Sequence, residues 1–164
     1  MNLVATSVAV YATENLTDSL WGELVPLLEQ HYDEVAYHKD IPLDPDRAGY
    51  ERIASCGALR IYTARVDGRL IGYMVCFVSR SLHYKSKIFA NQDILFIDKL
   101  YRGTRIGVDM IRYGQQHLRS DDRVDLLFQH TKAKPELNIG KMLKRLLGYE
   151  IVDEIYAVRL DLEK

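Results

Sequence analysis

The sequence predicts an α/β fold of mixed α+β character: a single domain over residues 1–164, with a central mixed, mostly antiparallel sheet and helices on both faces. Three observations support this. Apolar residues recur at helical spacing in several segments, β-rich runs lie between those segments, and two of the runs flank an Asp-Gly pair, which is a strong hairpin signal. The chain has 164 residues, 48% of them apolar, and such a chain folds around one core.

The first predicted elements are a strand and a long helix. Val8 to Thr13 has the pattern of a short strand, and Thr17 or Asp18 can cap the helix that follows. The buried stripe of this helix consists of residues at helical spacing, namely Leu20, Leu24, Leu27, Leu28 and His31. Pro26 lies too deep for the first helical turn, so we expect a kink or a break there.

A second helix is predicted from its two ends. Asp44-Pro45 has the pattern of an N-cap followed by proline at the first helical position, and Gly57 is placed to end the helix. Its expected buried stripe is Tyr50, Ile53 and Ala54.

The rest of the chain predicts the sheet, interrupted by two helices. Asp67-Gly68 is the expected turn of a hairpin between the first two strands of this part. The predicted elements, in chain order, are strands Leu59 to Val66 and Arg69 to Val78, a polar loop Arg80 to Asn91 with His83 and Tyr84, a strand Asp93 to Ile97, a helix Arg105 to Arg119, a buried strand Val124 to Phe128, a helix Ile139 to Leu147 closed by Gly148, and strand material Ile151 to Leu162. The expected core-facing residues of the first of these helices are Ile106, Met110, Tyr113 or Gly114, and His117.

Charge and cysteine content argue against several function classes. Lys and Arg number 22 and Asp and Glu 23, a formal net charge of −1, so there is no electrostatic reason to expect binding to nucleic acid or to an anionic membrane. Cys56 and Cys76 are too few for a disulfide framework, and we expect a cytoplasmic protein with no signal peptide or membrane span. The His, Asp and Glu residues between 31 and 40 lack the spacing of a known metal site, so we expect a solvated surface there and no metal.

One segment, Leu95 to Gly107, is a candidate site for chemistry. A buried strand ends there, a basic turn with a glycine follows, and an amphipathic helix begins at once. The free N–H groups and positive dipole end of a helix N-terminus suit a phosphate group. Gly103 and Gly107 allow close backbone approach, and Arg102 and Arg105 add positive charge. On these residues alone, a purely structural turn is the simpler interpretation.

Several motifs in the same order favour the functional interpretation. The motifs are Asp67 to Tyr73, Leu95-Phe96-Ile97-Asp98, Tyr101-Arg102-Gly103, Ile106-Gly107, and Leu143 to Tyr149. Together they resemble the GNAT superfamily of acyl-CoA-dependent N-acetyltransferases, over about Val8 to Leu162. Further residues resemble, more narrowly, a group of small GNAT proteins often encoded by bacteriophages, which would place the protein in a host cytoplasm. These residues are His83-Tyr84, Asp93 and His130-Thr131-Lys132.

The resemblance implies an enzyme that transfers an acetyl group from acetyl-CoA to a primary amine of a small molecule or a protein, with acetyl-CoA and the amine as its partners. It implies that the fourth strand bulges in the region of Leu95 to Ile97, supplies a backbone N–H to the thioester oxygen, and pairs with the pantetheine arm. The cofactor-binding residues that it implies are Leu95, Phe96, Ile97, Arg102, Gly103, Thr104, Arg105, Ile106, Gly107 and Asn138. Asn138 has capping of the last helix as its alternative role.

Three polar residues are candidates for the acid–base chemistry of this reaction. Asp93 is the expected general base, with capping or anchoring of the His83 loop as the alternative. His83, with Tyr84, either lines the acceptor pocket or is an ordinary surface residue. His130 either shuttles a proton or contacts the acceptor, or else it is a hydrogen-bonded core histidine.

Two positions depart from the family pattern. Arg105 stands where the phosphate-binding signature usually has glycine, so its side chain either points away from the pyrophosphate or pairs with it. Lys144 stands where many members have a tyrosine that protonates the departing thiolate, so another group or solvent must supply that proton. Two other functions therefore stay open: a degenerate GNAT domain that binds acyl-CoA or a protein without catalysis, and an unrelated nucleotide-binding α/β domain. A homodimer is a further open expectation.

Overall fold

The structure, a computed structural model, describes residues 8–132 and 139–161. Its elements are β1 (Val10–Glu14), α1 (Asp18–Val35), α2 (Arg47–Ser55), β2 (Leu59–Val66), β3 (Arg69–Arg80), β4 (Ile88–Ile97), a 3-10 turn (Lys99–Tyr101), α3 (Ile106–Ser120), β5 (Leu126–Phe128) and α4 (Ile139–Leu147). The chain divides after Lys132 into two compact units, the second of which contains α4. Among the described residues, no helix is long and apolar enough to cross a membrane.

The first unit is built on a five-stranded sheet in the order β1-β2-β3-β4-β5. The first four strands pair antiparallel, and β5 pairs parallel to β4. The mixed, mostly antiparallel sheet is therefore confirmed. The predicted hairpin is also confirmed, since Asp67 and Gly68 both have positive φ, 50° and 80°, as the tight turn between β2 and β3 requires.

Helices cover both faces of the sheet, as predicted. The leucines of α1 pack in one cluster with side chains of β2, β3 and β4, namely Leu59, Ile61, Leu70, Tyr73, Val75 and Phe96. The neighbouring side chain on β2, Tyr62, points to the other face and contacts α3. A Cβ on Gly114 of α3 would lie 2.4 Å from the Met74 methyl group, so glycine allows this close packing. The buried face of α3 is rotated from the predicted one and comprises Val108, Met110, Ile111, Gly114 and Leu118.

The expected break at Pro26 is wrong, because α1 runs from Asp18 to Val35 with Pro26 inside it. Proline removes one helical hydrogen bond and crowds the carbonyl four residues earlier. Buried leucines on both sides of the proline, Leu24 and Leu28 among them, hold the helix against the sheet. Packing of the apolar stripe therefore outweighs the local cost of the proline.

The second helix begins later than predicted. Its N-cap is Asp46 rather than Asp44, because the Asp46 carboxylate is the one that accepts the Gly49 N–H, at 2.9 Å. The predicted stripe of Tyr50, Ile53 and Ala54 is confirmed, since all three pack partly buried against the α1 cluster. The end of the helix is confirmed by Gly57, whose φ is +70°.

The predicted loop Arg80 to Asn91 is strand at both of its ends. β3 continues to Arg80 and β4 begins at Ile88, which leaves a loop of residues 81–87. Asn91 and Gln92 have low strand propensity, but β4 pairs with β3 on one side and β5 on the other, and this pairing overrides local preference. As a result, Asp93 lies inside β4 and does not open it.

The strand predictions after α3 are also partly wrong. Only Leu126 to Phe128 of the predicted Val124 to Phe128 strand is formed, and it is partly exposed because it is the edge of the described sheet. Residues 151–161 contain no strand, and their apolar side chains, such as Ile155 and Val158, are exposed. Alternating apolar residues form a strand only where a neighbouring strand offers backbone partners. Leu162 lies outside the described residues.

Candidate active site along the open half of β4

The two parallel strands, β4 and β5, pair over only a short length. β4 pairs with β3 from Ile88 to Ile97, but with β5 only from Phe89 to Asn91. Just beyond that point, the His130 N–H donates to the side-chain Oε1 of Gln92, at 2.9 Å. Among the described strands, β4 therefore has one unpaired edge from residue 92 to residue 97. Such an edge can pair with an extended ligand arm through main-chain hydrogen bonds.

A β-bulge marks the start of this open edge. Val75 lies opposite Ile94 and Cys76 lies opposite Gln92, so Asp93 is the extra residue on β4. A bulge interrupts the regular ladder and redirects a side chain. The expectation of a bulge in the region of Leu95 to Ile97 is wrong, because those three residues pair in regular register with β3.

The redirected Asp93 side chain meets α2. The Tyr50 hydroxyl donates to Asp93 Oδ2 at 3.0 Å. Burial of Tyr50, together with the Asp93 carboxylate, raises the pKa of Tyr50, so its hydroxyl stays protonated and keeps donating. Its ring packs between two other aromatic residues, with centroids 6.0 Å from Trp21 and 6.2 Å from Phe77.

A turn that is held by several hydrogen bonds connects the end of β4 to α3. The buried Asp98 accepts the Leu100 N–H at 3.0 Å and so caps the 3-10 turn. Gly103 has φ +75°, and the Thr104 Oγ1 donates to Tyr101 O at 2.7 Å and accepts the Ile106 N–H at 3.3 Å. The first turn of α3 leaves other N–H groups, those of residues 107 and 108, without intrahelical acceptors.

The two arginines of this turn have different surroundings. The Arg102 guanidinium forms a two-pronged ion pair with Glu34 of α1, with Nη2 2.8 Å from Oε2, and its Nε donates to Ile97 O at 2.8 Å. Its donors are thus engaged within the protein, and they lower the pKa of Glu34. Arg105 has an 80% exposed side chain whose one described ionic contact is Asp109, at 3.5 Å. Arg105 is therefore the better placed of the two to meet a phosphate group.

Several solved structures with this architecture are N-acetyltransferases, although no protein-family profile and no curated protein matches the sequence. A ribosomal-protein-alanine N-acetyltransferase from Brucella melitensis biovar Abortus 2308 superposes with a TM-score of 0.68 at 19% identity, over 93% of this chain and 99% of that one. The aminoglycoside N-acetyltransferase AAC(6')-Iy, solved with CoA, gives 0.70 at 18% identity over 98% of this chain and 100% of that one. This chain has the GNAT acetyltransferase fold. An acetyltransferase from Trypanosoma brucei is similar at 0.69 and 15% identity, over 93% and 100% of the two chains.

Within this GNAT fold, no described hydrogen bond, ion pair or ring contact joins two of the three candidate catalytic residues. Asp93 lies at the bulge, and the exposed His130 follows β5 next to Gln92, so the core-histidine alternative is wrong. His83 is exposed in the loop of residues 81–87, and the first five residues of β4 lie between that loop and the bulge. That loop is anchored by Asp125, which accepts from Lys87 Nζ at 2.7 Å and from the Ile88 N–H at 2.9 Å, and not by Asp93.

A fourth titratable residue on the GNAT fold, His31, was not among the predicted site residues. Its ring lies 5.3 Å from that of Phe96 in β4 and is half-buried, so the expectation of a solvated surface there is wrong for this residue. Burial lowers its pKa, helped by Lys132 and Arg102 and opposed by Glu34 and Asp93. The imidazole is then mainly uncharged near pH 7 and is able to accept a proton. Its helical spacing from the buried leucines of α1 is the sequence signal that places it against the sheet.

Of the other predicted cofactor residues, four lie on β4 and in the first turn of α3. Leu95, Phe96 and Ile97 form the end of the open edge. A Cβ on Gly107 would lie 3.6 Å from Ile97 Cγ1, an ordinary contact, so the fold itself does not require glycine there. Asn138 lies outside the described residues. Within residues 8–132 and 139–161, no cluster of three or more His, Cys, Asp or Glu could hold a metal ion.

Proposed function

We propose that this chain is an acetyl-CoA-dependent N-acetyltransferase that acts on a primary amine. The observation that carries the proposal is the unpaired edge of β4, which leads from the bulge at Asp93 to the N-terminus of α3 within a GNAT fold. The similar AAC(6')-Iy has been solved with CoA and with a bisubstrate analogue joining CoA to acetylneamine, which supports acetyl-CoA as the co-substrate here.

The groups that would hold acetyl-CoA follow from this geometry. The backbone of β4 from residue 92 to residue 97 would pair with the pantetheine arm as a neighbouring strand does. The N–H groups of Gly107 and Val108, at the positive end of α3, would face the pyrophosphate, with Arg105 beside them. Arg102 would act indirectly, by fixing the turn to α1 through Glu34.

Bound acetyl-CoA supplies an activated acetyl group as a thioester. In the transfer, the new bond joins the acceptor nitrogen to the acetyl carbon, the carbon–sulfur bond breaks, and CoA leaves as a thiolate. The nitrogen loses a proton, and the thiolate gains one from a group of the protein or from solvent. Asp93, exposed at the bulge, is our candidate to accept that proton, and its carboxylate also attracts the ammonium form of the amine. The neutral His31 is the alternative acceptor.

The acceptor is not determined by the fold. The similar structures are described as acetyltransferases for a ribosomal-protein alanine, for aminoglycosides and for glucosamine-6-phosphate. One fold therefore serves amines of very different size and charge, so the side chains of each protein, and not the fold, set the specificity.

The first test is binding of acetyl-CoA followed by turnover. At a concentration one hundred times the dissociation constant, the ligand stabilises the fold by about 2.7 kcal/mol, which raises the melting temperature of a protein this size by about 5–10 °C. Thiol release from acetyl-CoA across a panel of primary amines then measures catalysis. No thermal shift would contradict the proposal, and a shift without thiol release for any amine would favour the acyl-CoA-binding module instead.

A second prediction concerns Arg105. Arg105→Gly restores the usual glycine, yet we expect acetyl-CoA affinity to fall about fivefold at low salt, because the exposed guanidinium pairs with phosphate oxygens. The loss should shrink as salt is added. Isothermal titration calorimetry measures both effects. Arg105→Gln and Arg112→Gln form a matched pair, because the first removes a charge at the start of α3 and the second removes a charge about two helical turns further along. Equal or tighter binding by Arg105→Gly would mean that the arginine only occupies the turn.

A further inference from the structure

The Tyr50–Asp93 hydrogen bond is a contact that the fold does not need. Tyr50 lies on α2 and Asp93 on β4, and the hydroxyl donates to Oδ2 at 3.0 Å. Asp93 is exposed, and an exposed hydrogen bond of this kind adds little to stability because water can replace either partner. The aromatic packing of Tyr50 against Trp21 and Phe77 would persist without the hydroxyl.

We propose that Tyr50 is a positioning residue for Asp93. Tyr50 holds one carboxylate oxygen, which leaves the other oxygen of Asp93 directed to the acceptor amine. The bulge makes this possible, because it redirects Asp93 toward α2. The inference rests on the proposed function, since it assigns Tyr50 a role only through the proton acceptor of that reaction.

Steady-state kinetics on the full chain test this. With saturating acetyl-CoA and the panel amine that gives the highest turnover, Tyr50→Phe should lower kcat about tenfold and leave the KM for acetyl-CoA unchanged, because a carboxylate that is free to rotate is seldom correctly placed. Tyr113→Phe is the matched control, since it removes a hydroxyl 3.4 Å from Thr13 Oγ1 on the α3 side of the sheet. We expect full activity from that control.

A double-mutant cycle shows whether Tyr50 acts through Asp93. In an Asp93→Asn background, the added Tyr50→Phe change should alter kcat by less than about twofold, because the group it positions is no longer a base. The proposal is overturned if the double variant lowers kcat by the product of the two single reductions. It is also overturned if Tyr50→Phe alone leaves kcat unchanged. Thermal shift with acetyl-CoA and activity of the unmodified protein report on the proposed function separately. If no amine is acetylated by the unmodified protein, both the function and the role of Tyr50 are contradicted.

Discussion

Gly107→Glu is expected to abolish acetyl-CoA binding in a protein that remains folded. A side chain at residue 107 makes only an ordinary contact with Ile97, and a carboxylate in the first turn of α3 favours the helix dipole, so stability should be equal or slightly higher. The same carboxylate would stand where the proposed site holds the pyrophosphate. Like charges about 4 Å apart near a protein surface repel by about 4 kcal/mol, which corresponds to a loss of affinity of about a thousandfold.

Two matched variants separate the causes of this loss. Gly107→Gln has the size of glutamate without the charge, and Gly107→Ala adds only a methyl group that the structure accommodates. Calorimetry with acetyl-CoA should rank affinity as wild type, alanine, glutamine and glutamate, with melting temperatures within a few degrees of one another. Unchanged affinity in a folded Gly107→Glu protein would show that the cofactor binds elsewhere.

Asp93→Asn is expected to lower turnover at saturating acetyl-CoA by at least about tenfold, since a general base contributes about 10²–10⁴-fold. Affinity for acetyl-CoA should change little, because the proposed cofactor contacts of β4 are made by its backbone. The deficit should shrink as pH rises, because more of the acceptor amine is already neutral and needs no base.

The pH–rate profiles of Asp93→Asn and His31→Gln distinguish the two candidate bases. If Asp93 is the base, His31→Gln keeps most of its activity over the whole pH range. Full activity of Asp93→Asn with a large loss in His31→Gln would transfer the role to His31. Full activity of both variants would contradict a side-chain base on this face of β4, and would leave water as the proton acceptor.

The sequence predicted those parts of the fold that depend only on residues adjacent in the chain. The Asp67-Gly68 turn depends on two adjacent residues that adopt positive φ, so the hairpin could be predicted exactly. The start of β4 depends on two neighbouring strands, one of them 37 residues further along the chain, and the polar segment before Asp93 gave no sign of it. The break expected at Pro26 failed for the same reason, since tertiary packing decided the outcome.

The turn between β4 and α3 could be predicted from the sequence, but the side-chain contacts of the site could not. The strand, the glycine-bearing turn and the helix start are consecutive in sequence, so Leu95 to Gly107 could be identified together. The partners of Asp93 and Arg102 are 43 and 68 residues away, on α2 and α1, and no short pattern encodes such contacts. A bulge, moreover, is a property of two paired strands, so one strand alone cannot indicate its position.

The open half of β4 has a consequence for the protein when no ligand is bound. Unpaired strand backbone is a template on which another chain can assemble, and it is a common starting point for aggregation. Here the hazard is contained by geometry: the open stretch is only six residues long, the bulge interrupts its ladder at one end, and the fixed turn at Asp98 closes the other. A foreign strand would therefore find too few consecutive partners to hold it, whereas a thin, flexible arm of ligand could still enter. The short length of the open edge therefore admits a ligand arm and at the same time limits aggregation through this edge.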